Sequence, residues 1–160
     1  MSTNIYFWKP TEPNGFLGNW YQSRFTIDNI EFINNEQYFM WRKQQLFDPL
    51  NLSLEKKILE TNNPKIMKDL GRNVGNFNQT IWDKEKFDIM KTGLIQKFSQ
   101  NSHLKQLLKN TGNATLVEAS PYDTVWGIGL NDKDAKIKSW RGENLLGKAL
   151  MEVRKMLSND

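Results

Sequence analysis

Apolar residues recur at helical spacing along most of this chain, and the recurrence begins near residue 34. In 36–47, Phe39, Met40, Lys43, Leu46 and Phe47 share one side of a helix that should stop at Asp48-Pro49. A second helix is predicted near 53–60. A third takes Asn63 as its cap, Pro64 in its first turn, Ile66, Met67 and Leu70 as its apolar side and Gly71 as its stop. Residues 80–83 read as a capping box before a long helix carrying Phe87, Met90, Leu94 and Phe98 on one side. Leu104, Leu107 and Leu108 mark a short helix ending before Gly112. A last helix from about Glu143 carries Leu146, Ala149, Leu150, Val153 and Leu157 as a stripe.

Residues 1–33 lack that period. Asn14-Gly15 is a turn signal, and 24–27 and 30–33, joined by Asp28-Asn29, read as a short hairpin. Residues 112–142 show no regular pattern and turn basic at Lys133, Lys136, Lys138 and Arg141. A stretch this long without elements of its own is usually functional. The expected fold is mainly α, a single domain over 1–160 with a short N-terminal β-hairpin that the helices cover.

The first helix contains an anomaly. Glu36, Met40, Lys43 and Phe47 fall on one face, so two charges sit on an aromatic side, roughly 10 Å apart along the axis. Charges on such a face are paired, or line a cavity that something polar enters. Read alone, Glu36 is a helix-start carboxylate stabilised by the dipole by ~0.5 kcal/mol. Near free helix amides its pKa should fall. It would then be ionised at neutral pH, fit to act as a base or to face a developing cation.

Composition narrows the chemistry. The 160 residues include no cysteine and one histidine, His103, which excludes disulfides, thiolate catalysis and histidine-rich metal centres. Six tryptophans and nine phenylalanines supply an aromatic core, a ring-lined pocket, or both. The net charge of +4 favours anionic ligands without the basic density of a nucleic-acid footprint. No secretory signal and no run of about 20 apolar residues is present, so a soluble, cytoplasmic protein is expected.

Other candidates are weaker one by one. Asp123-Thr-Val-Trp126-Gly127-Ile-Gly129 combines a carboxylate, an indole and glycines that permit close backbone approach, and also describes an ordinary turn around a packed Trp. Trp82 reads equally as a core plug. Arg72 could fork onto a phosphate or lie on the surface at a helix end. The 141–147 segment opens the last helix, where free amides accept anions or are merely capped. His103 follows a cap and carries no chemistry.

Taken together, these segments resemble the YbiA-like, or NADAR, family of N-glycosidases. The matching pieces are Gly15-Phe16-Leu17-Gly18-Asn19-Trp20; Glu36-Gln37-Tyr38-Phe39 with Lys43; Gly71-Arg72; Trp82; and Lys97-Phe98 with Asn101. Leu107-Leu108, Leu116-Val117-Glu118, the 123–129 segment, and Asn144-Leu145-Leu146-Gly147 followed by Leu150-Met151-Glu152-Val153-Arg154 complete the set. No piece is specific alone; the ordered set, over roughly 15–157, is. The chain departs from the family at three positions: Asn35 where Ser or Thr is common, Gln37 where His is common, and Gly18 where Ser is usual.

The resemblance implies a helical domain that hydrolyses an N-glycosidic bond. The substrate class is a phosphorylated ribosylamino-pyrimidine of riboflavin synthesis, or ADP-ribose on guanine in DNA or RNA. It implies Glu36 as the catalytic carboxylate, Asp123 as its acidic partner, and Trp82 and Trp126 as pocket indoles. Asn19, Lys43, Arg72 and Asn144 would hold sugar and phosphate, with Gly127 in the binding loop. No metal, cofactor or obligate protein partner is expected. A non-catalytic ADP-ribose or NAD binder and an inert helical scaffold are the alternatives from other classes.

Overall fold

The computed structural model describes residues 3–159. Helices α1 (Asn35–Phe47), α2 (Leu52–Glu60), α3 (Pro64–Gly71), α4 (Gln79–Ser99), α5 (Ser102–Asn110), α6 (Asp132–Ala135) and α7 (Leu145–Leu157) dominate. The strands are short: β1 (Asn4–Phe7), β2 (Phe25–Ile27), β3 (Ile30–Phe32) and β4 (Thr115–Glu118). The fold is mainly α, with the expected hairpin at β2–β3. Two compact units divide the chain, one of residues up to Tyr21 and from Phe98 onward, the other Gln22–Lys97. No helix among the described residues is long and apolar enough to cross a membrane.

In the Gln22–Lys97 unit, Asp28 and Asn29 both adopt left-handed backbone (φ 52° and 67°), the geometry a two-residue antiparallel turn requires. The turn sets Phe25 opposite Phe32, both buried. Tyr38 of α1 packs edge-on against Phe32 at 5.1 Å, so hairpin and helix share one aromatic cluster. Helix α1 starts at the Asn34 cap, whose side chain accepts from the Gln37 N–H at 2.9 Å. Its first turns are buried on every side, from Asn35 to Met40, which two-sided packing rather than amphipathicity explains.

Some sequence expectations shift. Leu46 and Ile66 are exposed, 40% and 45%, so neither belongs to the apolar side of its helix. The cap of α4 is Asn78, whose Oδ1 accepts from the Ile81 N–H at 3.0 Å. Thr80 therefore lies inside the helix, and Trp82 in its first turn rather than before it.

In the other unit, β1 and β4 pair in parallel, Asn4 opposite Thr115 through Phe7 opposite Glu118. This corrects the irregular reading of 112–142: that stretch holds β4 and α6. Leu116, Val117, Ala119, Ile128 and Leu130 are buried there. Helix α7 lays its whole predicted stripe, Leu146, Ala149, Leu150, Val153 and Leu157, into the core and packs on β4 and α5.

Lys97 is a cost written into α4. It is fully buried, and loss of hydration pushes its ammonium from the ordinary 10.5 down to about 7. Between those values the unfolded chain binds a proton that the folded one lacks. Stability should therefore climb with pH there, by at most about 1.4 kcal/mol per unit, and level off below 7 where both states are protonated. We expect the melting temperature of the wild type to gain on that of Lys97→Met between pH 7 and 9. A constant gap would mean that the folded protein keeps the charge.

Candidate active site

Four of the expected site residues lie in the Gln22–Lys97 unit. Glu36 stands in the first turn of α1, 8% exposed. Lys43, two turns on, is half-buried. Its Nζ lies 4.7 Å from the centre of the Phe77 ring and 5.7 Å from that of Trp82. Burial is the largest influence on Lys43 and lowers its pKa; the Glu36 carboxylate pulls it back up, and Arg72 adds a smaller downward push. The ammonium therefore feels Glu36, a ring-lined surface and a second cation at once. It donates no hydrogen bond to any described side chain or carbonyl. A half-dehydrated cation with open donors suits an oxyanion.

Trp82 is buried against Phe39, with ring centres 5.0 Å apart, and against Phe47 at 6.1 Å. The indole plugs the core, as one of the two readings expected, and lies within reach of the Lys43 ammonium. Arg72 caps α3, lies exposed and pairs with Asp69 at 3.0 Å. That is the surface-arginine reading, and a phosphate would have to take the guanidinium from Asp69.

Gln37 shows what the departure from the family's histidine does here. Its Oε1 accepts from the Ile33 N–H at 2.9 Å, and its Nε2 faces the carbonyls of Ile58, Leu59 and Thr61 at 3.0–3.3 Å. The side chain ties the start of α1 to the open carbonyl end of α2. It is a fastener, with no free atom to relay a proton beside Glu36.

The remaining candidates lie in the other unit. Asn19 is half-buried just beyond the tight turn Gly15–Leu17. Asp123 Oδ1 accepts from the backbone N–H groups of Val125 (2.9 Å) and Trp126 (2.8 Å), which closes the turn that presents the half-buried Trp126. Gly127 is buried, and a side chain there would meet the carbonyl oxygens of Asp123 and Glu118 at 3.0 Å. The glycine is explained by its own backbone's crowding.

At the opening of α7 the sequence left an anion site and ordinary capping open, and backbone carbonyls take most of the amides. The N–H groups of Asn144, Leu145 and Leu146 donate to the carbonyls of Gly127, Val125 and Trp126 at 3.1 Å each. Three of the helix-end amides are thus taken by carbonyls of the 123–129 loop. Asn144, left-handed at φ 55°, donates from Nδ2 to the Leu116 carbonyl and accepts at Oδ1 from the Glu118 N–H, each at 3.0 Å. Its amide clamps β4 to the start of α7.

Sequence reasoning missed Phe77. It follows a left-handed Asn76 (φ 57°) in the turn between α3 and α4, where no periodicity marks it. The Asn-Phe-Asn string was the only local signal, since asparagine tolerates left-handed backbone and caps helices.

A family model described as the NADAR domain matches residues 6–158. An N-glycosidase of Acanthamoeba polyphaga mimivirus is 50% identical over 127 residues, covering 78% of this chain and 74% of that protein. A riboflavin biosynthesis protein of Vibrio vulnificus is 31% identical over 157 residues, 98% of this chain but 39% of that longer protein. The solved NMR structure of the E. coli protein YbiA overlays with a TM-score of 0.81 at 28% identity, over 99% of this chain and 88% of that one.

Proposed function

The chain belongs to the NADAR domain family, and we propose that it hydrolyses the ribosyl C–N bond of a phosphorylated ribosylamino-pyrimidine, of the riboflavin-intermediate type. Hydrolysis of N-glycosyl compounds is the activity its relatives are named for; the substrate is our reading. The observation that carries it is the pairing on α1 of a buried carboxylate, Glu36, with a ring-clasped ammonium, Lys43. The family match spans both units, and we propose that they work as one catalytic domain.

Breaking a ribosyl C–N bond builds positive charge on the anomeric carbon. In our reading Glu36 supplies a fixed negative charge to that carbon and takes a proton from the water that adds to it. The base leaves with the bonding electrons and ends with the proton that Glu36 took from water, which restores the carboxylate. Lys43 holds the phosphate, and the roughly 10 Å between the two residues along the helix leaves room for the ribose. Trp82 keeps water from the cation's inner side. Asp123, with one carboxylate oxygen fixed by the loop amides, orients a sugar hydroxyl through the other, and Trp126 stacks on the base. Asn19 contacts the sugar. Asn144 and Gly127 act indirectly, by holding the loop's shape, and Arg72 adds positive field.

The test is product mass after incubation with ribosylamino-pyrimidine phosphate, NAD and an ADP-ribosylated oligonucleotide. The expected result is free aminopyrimidine and ribose 5-phosphate from the first alone. Release of ADP-ribose from the oligonucleotide would replace this substrate with modified nucleic acid. Binding without any product would make the protein a ligand-binding module.

A further inference from the structure

Two rings face the Lys43 ammonium, a third packs behind both, and the outer of the two, Phe77, belongs to no role described so far. Phe47 packs behind both Trp82 (6.1 Å) and Phe77 (5.2 Å, edge-on), so a single buried side chain sets the spacing of the two rings that Lys43 faces. Trp82 is 7% exposed and forms the inner ring; Phe77 is 40% exposed and forms the outer one. The turn that carries Phe77 is pinned at both ends. Asp48 Oδ2 accepts from the Gly75 N–H at 3.1 Å, and Asn78 caps α4. Phe77 is therefore an ordered wall of the ammonium's surroundings rather than a loose surface ring.

We propose that Phe77 determines the preference for a phosphorylated over an unphosphorylated riboside, by closing an aromatic clasp on Lys43. This rests on the reading of Lys43 as the phosphate holder. The physical basis is preorganisation. A lysine in open water must shed hydration and rotamer freedom when an anion arrives. Here folding has already stripped water from two sides of the ammonium and put ring faces, attractive to a cation, in its place. A phosphate then meets a cation that has less hydration left to lose.

The experiment is calorimetric binding of ribose 5-phosphate and of ribose to the wild type, Phe77→Ala, Phe77→Leu and Lys43→Met. The wild type should prefer ribose 5-phosphate at least about tenfold, and Lys43→Met should abolish that preference. Phe77→Ala should remove most of it, weakening ribose 5-phosphate on the order of fivefold or more and ribose hardly at all. Phe77→Leu keeps the apolar cover without the π face and should fall between. It also serves as the folded control should the alanine variant melt early. Rehydrating Lys43 raises its proton affinity, so the alkaline loss of ribose 5-phosphate binding should move to higher pH in Phe77→Ala. A ring that only packs would not produce that displacement.

If Phe77→Ala weakens both ligands equally, or neither, while Lys43→Met still erases the preference, Phe77 is a packing residue and the inference is wrong. If the wild type shows no preference and Lys43→Met changes nothing, the phosphate assignment of Lys43 falls first, and this inference with it.

Discussion

Glu36→Gln is expected to lower turnover on the order of a hundredfold or more while leaving the fold intact. The substitution is nearly isosteric, so the buried first turn of α1 keeps its packing. What it removes is one negative charge at a position that is 8% exposed. A hundredfold loss corresponds to about 2.7 kcal/mol of transition-state stabilisation, a reasonable share for a fixed carboxylate facing an oxocarbenium-like carbon in a water-poor setting. KM should change far less than kcat, because the ground-state sugar carries no positive charge for the carboxylate to bind. There is a second, separate consequence. Glu36 opposes the effect of burial on Lys43, so its neutralisation should lower the Lys43 pKa further. The alkaline limit of phosphate binding should then move to lower pH, opposite to the effect expected for Phe77→Ala. Turnover within a few-fold of wild type, measured on pure variant with an unchanged melting temperature, would take Glu36 out of the mechanism.

The parts of this molecule that could be read beforehand are those in which the signal is local. Asn63-Pro64 followed by Gly71 delimits α3 because cap, first-turn proline and stop all lie within one short string. The α7 stripe appears in full because one face meets the core and the other meets water. Where a helix is enclosed on several sides the periodicity blurs. The start of α1 is buried all round, and what was visible in the sequence was the misfit of two charges rather than the packing itself. Strand β4 was missed for a different reason. Four residues, Thr-Leu-Val-Glu, are too few to show alternation, and the parallel partner β1 lies far off in sequence, Asn4 opposite Thr115. Helix α4 begins earlier than the 80–83 capping box suggested, because the carboxamide of Asn78 reaches the Ile81 amide and caps it there. In the candidate site, residue types were legible and commitments were not. Nothing in the string around Asn144 says that its carboxamide clamps β4, or that the loop's carbonyls take amides at the start of α7.

That clamp leads to the second large effect expected. Gly147→Ala should destabilise the protein by about 3 kcal/mol or more, from overpacking plus the disturbed Asn144 hydrogen bonds. It should lower the melting temperature by roughly 6–12 °C. Alanine is ordinarily the better helix residue, by about 1 kcal/mol, so a helix position that rejects it does so because of its neighbours. A Cβ on Gly147 would run into the Leu116 carbonyl oxygen and the Nδ2 and Oδ1 atoms of Asn144. The first is backbone of β4 and cannot swing aside; the others are the atoms that hold β4 to the start of α7. Pushing α7 outward would also stretch the N–H bonds of Asn144, Leu145 and Leu146 to the loop carbonyls. The loop that presents Asp123 and Trp126 would then lose its anchor. Activity should accordingly fall at temperatures where the variant is still folded, through KM more than kcat. Gly18→Ser is the matched control in the same unit. Gly18 sits at φ −80°, and its nearest Cβ contacts would be an ordinary 3.4 and 3.5 Å, so the serine should fit within about 0.5 kcal/mol. Equal melting temperatures for Gly147→Ala and Gly18→Ser would show that α7 can move off β4 without loss, and the account of how this loop is held would have to be abandoned.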